Sequence, residues 1–171
     1  MTRGGISIFQ FQGYKPGSGA DGPTIEFPGY IVSLSDQYSP LWGEQQDIGR
    51  SDPKMIYQQF ARDISLSFYV VAEKAADHED NELQLAELAK LTYPIHQVTQ
   101  GFNGMHVLYK IGKIQQGYGI ITSLVYDWDG DVPWIQDKPI YTPVAINIRN
   151  LADVLGNRPD RAKSKIFNAT N

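Results

Sequence analysis

Asp63-Ile64-Ser65-Leu66-Ser67-Phe68-Tyr69-Val70-Val71 alternates apolar and hydroxyl-bearing residues with a period of two. Successive side chains of a strand point to opposite faces. Ile64, Leu66, Phe68 and Val70 therefore share one face, and Ser65, Ser67, Tyr69 and Val71 the other. An antiparallel strand with one side on a core and one side open reads this way. Upstream, Gly29-Tyr30-Ile31-Val32-Ser33-Leu34-Ser35 predicts a partner strand with Tyr30, Val32 and Leu34 on one face. Between the two, residues 36–53 carry Tyr38, Pro40, Trp42, Gly43, Gly49 and Pro53, and their turn-forming composition predicts a long loop. Loops of that length are usually functional or settle on a partner. Met55-Ile56-Tyr57 has room for a brief pairing before the central strand.

Downstream the period changes. Asp77 to Leu91 predicts a helix with Asp80 or Asn81 as its cap, acids in its first turn and Lys90 in its last, an order that suits the helix dipole. Leu85, Leu88 and Ala89 form its apolar stripe, widened by Ala86 and Leu91, as a helix lying on a sheet requires. Tyr93-Pro94 ends it, because a residue before proline is pushed out of helical geometry. Met105 to Ile111 predicts a strand and Gly112-Lys113 a turn, with the register blurred over 114–119. Ile120 to Trp128 follows with Ile120, Thr122, Leu124, Tyr126 and Trp128 on one face. Tyr141 to Leu151 completes the set through Val144, Ile146 and Ile148. Strands on both sides of one helix predict an α+β domain, mostly antiparallel, closed into a small β-barrel or sandwich.

The ends read differently. Residues 1–28 contain a short alternation, Ile6 to Phe11, and then a run punctuated by glycine and proline from Gly13 to Pro23. That composition predicts a flexible N-terminal arm, with the barrel domain at 29–155 and a basic tail at 156–171. The tail sets Arg158, Arg161, Lys163 and Lys165 against Asp160; such a tail can seek an acidic surface, and more commonly is a solvated end.

Composition excludes several classes. Fifteen basic against nineteen acidic residues give a net charge of -4, which repels rather than recruits a phosphate backbone. There is no apolar run of the roughly 20 residues a membrane helix needs, and Met1 to Gly5 lacks a signal-peptide core. No cysteine is present for disulfides or thiolate chemistry. Asp127, Asp129 and Asp131 alternate as at the start of a calcium loop. The EF-hand pattern then requires glycine at its sixth position and glutamate at its twelfth, where this chain has Val132 and Lys138. Asp129-Gly130 reads better as a hairpin turn. His78, His96 and His106 lack the spacing of a zinc protease. A glycosidase pair drawn from Glu73 and Asp127 to Asp131 has no support in spacing alone. No nucleophile elbow or phosphate loop occurs. The sequence therefore predicts no catalytic residues, no cofactor and no metal.

Taken in order, Gly49-Arg50-Ser51-Asp52-Pro53, Arg62 to Phe68 with Ala72-Glu73, Leu88 to Pro94, Gly119 to Leu124 and Trp128-Asp129…Pro133-Trp134 resemble the tube proteins in baseplates of contractile-tailed bacteriophages. The resemblance covers about 45 to 150. It implies a tail-tube fold, a small β-barrel with one flanking helix that closes into a six-fold ring, and no enzymatic activity. It also implies a structural virion protein of the baseplate, assembled in the host cytoplasm, linking hub and spike to the tail tube. Its partners would be copies of itself, neighbouring tube and hub proteins, and DNA passing without sequence preference; no membrane is involved. On this reading Ser65, Ser67 and Tyr69 face the lumen, and Tyr38, Pro40, Trp42 and Arg50 lie between subunits. Trp128 and Trp134 anchor the rim. A repeating tail-tube subunit or a secretion-system tube ring is the near alternative. A calcium-dependent carbohydrate-binding module or glycosidase, using Trp42, Trp128 and Trp134 as sugar platforms, is the alternative of another class.

Overall fold

The computed structural model describes residues 7–15, 19–46, 48–49, 51–72, 75–93, 95–97, 101–103, 105–128, 132–135 and 138–151. Arg50, Glu73, Asp129, Gly130, Asp131 and the basic tail lie outside the described residues.

Long strands dominate the chain. They are β1 (Ser7–Lys15), β2 (Gly19–Gln45) and β3 (Lys54–Val71), then helix α1 (Ala75–Lys90). The short β4 (Ile95–Gln97) and β5 (Gly101–Asn103) follow, then β6 (His106–Ile111) and β7 (Gln115–Tyr126). A two-residue pair, β8 (Trp134–Ile135) and β9 (Lys138–Pro139), precedes β10 (Tyr141–Asn150). Six of these strands close a barrel in the order β1-β2-β3-β10-β7-β6, every neighbouring pair antiparallel. Closure comes from β1, which pairs β6 from Phe9↔Ile111 to Tyr14↔His106.

The central strand behaves as its alternation requires: Ile64, Leu66, Phe68 and Val70 are buried, Ser65 and Tyr69 are exposed and Ser67 is half-buried. Val144, Ile146 and Ile148 of β10 face the same core, directly opposite Phe68, Leu66 and Ile64. Six strands leave an interior that side chains fill completely. Phe9 stacks on Phe68 with centroids 4.4 Å apart, and Phe27 closes on both Phe68 and Phe11. Helix α1 adds Leu85 and Leu88 to that core. Tyr126 donates its hydroxyl to Leu85 O (2.7 Å), and Asn81 donates to Val71 O (3.3 Å). The helix thus seals the end of the barrel at which β3 finishes. Among the described residues no helix is long and apolar enough to cross a membrane.

Five sequence expectations are corrected. Residues 7–15 and 19–28 are barrel strands instead of a flexible arm, with Phe9, Phe11, Ile25 and Phe27 in the core; their glycines and prolines hid the alternation. Tyr30 and Val32 point outward, because a bulge between Ile31 and Ser33 shifts the register before Leu34 turns in. Residues 36–45 are strand instead of loop, paired from Asp36↔Ile64 to Gln45↔Lys54, and the brief pairing expected of Met55-Ile56-Tyr57 is part of that ladder. In β7 a second bulge beside Asn147/Ile148 lets Ile121, Leu124 and Tyr126 face inward, in place of an unbroken face through Ile120 and Thr122. The helix itself begins at Ala75, so neither Asp80 nor Asn81 caps it.

Candidate functional surfaces

Two surfaces stand out, and both belong to the sheet β2-β3-β10-β7. The first is its outer face. Register places Ser35, Ser65, Asn147 and Ser123 in one row across the four strands, and Ser33, Ser67, Ala145 and Val125 in the next. The outward serines of β3, read from sequence without neighbours, thus acquire partners on either side. Beyond them Arg149 reaches Asp63 through two bonds of 2.9 and 3.2 Å, so their charges offset one another. At the other end Tyr69 lies beside Tyr30 and meets Tyr141 edge-on (5.0 Å). The face is broad, small in side-chain size and without fixed net charge.

The second surface is a ribbon that leaves the barrel. β3 pairs β10 only from Val71 to Arg62, and β2 pairs β1 only from Gly19 to Gly29. Beyond Tyr38↔Arg62, residues 39–45 and 54–61 therefore pair as strands only with each other, and among the described residues no further strand borders the ribbon. Pro40, which has no N–H to give, fits such an edge strand. The face continuous with the barrel core carries Tyr38 beside Phe60 (6.1 Å) and, past a bulge at Leu41/Trp42, Trp42 edge-on to Tyr57 (5.3 Å). Core-type residues there stay largely open among the described residues: Tyr38 is 57% exposed, Trp42 51% and Met55 51%. Tyr38, Pro40 and Trp42, expected between subunits, thus sit together on one arm. Phe60, Tyr57 and Met55 complete the surface. Their shared face is hidden in the sequence, because the bulge between Gln59 and Tyr57 breaks the period of two.

At the root of the arm Asp36 accepts two bonds from Arg62, Nε to Oδ1 at 2.8 Å and a terminal nitrogen to Oδ2 at 2.6 Å. That guanidinium holds the Asp36 carboxyl below the usual carboxylate range, and the carboxylate raises Arg62 in turn. A separate cluster lies on the outside of β1, β6 and β7. There Tyr118 bonds His106 Nδ1 and meets Tyr14 edge-on at 5.0 Å. Burial lowers the His106 pKa and pushes Tyr118 up to about 12.

The remaining expectations are less favoured by position. Trp128 and Trp134 are each 52% exposed. Trp128 lies two residues beyond the end of β7 with its ring 5.8 Å from that of Tyr126, and Trp134 sits in the two-residue β8 opposite Pro139. Neither ring is sunk in the core as a rim anchor would be. A cleft between β2 and α1 is lined by Glu26, Tyr30, Val71, Asp77, Asp80 and Gln84. Among the described residues no group of three metal-ligating side chains occurs.

No family model matches the chain, and no curated protein does. Among solved structures it is similar to a chain from the tail of an empty GTA particle determined with helical refinement in C6 symmetry. That likeness has a TM-score of 0.40 and 13% identity over 84% of this chain and 91% of the other. A similarity of this degree is loose, and the architecture rests on the strand order and registers described above.

Proposed function

We propose that this chain is a structural subunit of the central tube in a contractile phage tail, forming a six-fold ring of the baseplate between hub and tail tube. The observation that carries the reading is the aromatic-faced arm of β2 and β3. A two-stranded ribbon is marginal alone in water, and its free edges invite pairing with another chain. A head-to-tail contact that closes by rotation covers the arm of every subunit with the next copy and leaves none over. The resemblance of the segments from 45 to 150 to tube proteins supports the same placement.

In such a ring the hydroxyl and amide rows of Ser35, Ser65, Asn147, Ser33 and Ser67 form the channel wall. DNA sliding past needs a wall that holds no phosphate, and small neutral side chains meet that need. The role is mechanical, with no catalytic residue, cofactor or membrane contact. A repeating tube subunit uses the same surfaces, and stacking many rings instead of one distinguishes it. The purified chain imaged as particles should give annuli of six-fold symmetry. A monodisperse monomer at high concentration, alone and with its neighbouring tail proteins, would rule the ring out.

The exposure of Trp42, Trp128 and Trp134 favours one reading of another class, a carbohydrate-binding module. Retention of a monomer on polysaccharide in calcium, lost on chelation, would select it.

A further inference from the structure

We infer that Asp36 and Arg62 form a clamp that fixes the angle and order of the β2–β3 arm in the isolated subunit, before any partner is bound. The pair stands at one structural boundary. Arg62 is the last residue of β3 paired to β10, and beyond it only the two strands β2 and β3 continue together. Two-stranded ribbons twist more freely than the sheets they leave, so the direction of this arm needs a local cause.

The chemistry at the boundary supplies one. Asp36 and Arg62 are diagonal neighbours, since Asp36 pairs Ile64 while Tyr38 pairs Arg62. A planar fork on a carboxylate restricts both position and orientation, which a single charge contact does not. The guanidinium also lies 4.9 Å from the centre of the Tyr38 ring, and the Tyr38 hydroxyl donates to Asp36 Oδ2 at 3.0 Å. Across the barrel mouth Gln115 of β7 donates to the same oxygen at 3.4 Å. With its carbonyl turned to Arg62, the Asn150 side chain of β10 accepts from the guanidinium at 3.2 Å. One carboxylate and one guanidinium therefore join the first residues of the arm to β7 and β10. The pair is also only 26% and 20% exposed, so water competes weakly for it.

The consequence is preorganisation: an arm already held in place loses less freedom when a partner covers it. The use of that arm in assembly rests on the reading of the chain as a ring subunit, but the clamp does not, and it is tested without assembly. Hydrogen exchange followed by mass spectrometry on the monomeric chain reads the arm (38–45 and 54–61) separately from the barrel (62–71 and 141–150). In Asp36→Asn the arm amides should exchange about tenfold faster while the barrel is unchanged. Tyr38→Phe keeps the ring and removes only its hydroxyl, so it tests the same clamp without leaving a charge unpaired. It should speed the same amides by about threefold. Unchanged arm exchange in both variants overturns the clamp. So does loss of protection in arm and barrel together, which would make the pair part of the core.

Discussion

Tyr109 is the largest fully buried side chain of the barrel, and its ring passes directly over Gly117 on β7. A Cβ at 117 would collide with the tyrosine hydroxyl, so glycine is required there by close approach. Burial pushes Tyr109, Tyr118 and Tyr126 each up to about 12. The sign follows from the unfolded chain, whose tyrosines ionise near pH 10. Below about pH 10 both states are protonated and stability is complete. Between about pH 10 and 12 the unfolded chain loses its protons first, and stability falls. Denaturant midpoints should therefore hold level to about pH 9 and then decline. Tyr109→Phe should reduce the steepness of that decline. An unaltered alkaline slope in this variant would remove Tyr109 from the account. The serines of β3 were readable from alternation alone; the pairing of Tyr109 with Gly117 was not, because it joins residues on two strands through the barrel interior.

The β2–β3 arm shows what an element gains and loses by leaving its barrel. Its aromatic face continues the core face of β3, but among the described residues no opposite wall covers it beyond Arg62. Apolar surface of that kind is usual at sites of protein contact. Replacing Trp42 and Tyr57 together with alanine removes half-exposed rings, so the isolated subunit should lose only about 1 kcal/mol or less. Assembly should weaken at least about tenfold, some 1.4 kcal/mol of contact free energy. Sedimentation velocity across a concentration series measures the two states directly. Assembly equal to that of the native chain would show that this face touches no neighbour. The N-terminal segment teaches the reverse lesson. Its composition reads as a flexible arm, yet β1 carries Phe9 and Phe11 and closes the barrel against β6. Removing it would open the barrel and leave β6 without a partner on that side.

The whole molecule offers one broad neutral face, and its position in a ring decides whether DNA meets it. Ser65 is exposed and Ser67 half-buried on that face, so lysines at both sites should leave the fold intact. In a six-fold ring they would add about twelve positive charges to the channel, and each phosphate neutralised steepens the salt dependence of binding. Assembled rings of the Ser65→Lys, Ser67→Lys variant should hold DNA at low salt and release it as salt rises. Native rings should hold it weakly throughout. Equal, weak binding by both would move the serine rows away from the channel.

The sequence by itself determined the elements whose pattern is local. Two clean faces in Asp63 to Val71, the apolar stripe of α1 and the step of Val144, Ile146 and Ile148 each follow from a repeat of two or 3.6 residues. Tertiary structure decided everything that depends on which strand lies beside which. Bulges near Val32 and Thr122 reverse an alternation that reads as unbroken, since an extra residue is visible only against its partner strand. Residues 13–15 and 19–23 are strand because β1 and β2 pair each other there, and β6 borders β1 as far as Tyr14, which outweighs weak local propensity. Asp36, Arg62, Gln115 and Asn150 are scattered along the chain and share one cluster only because the barrel closes.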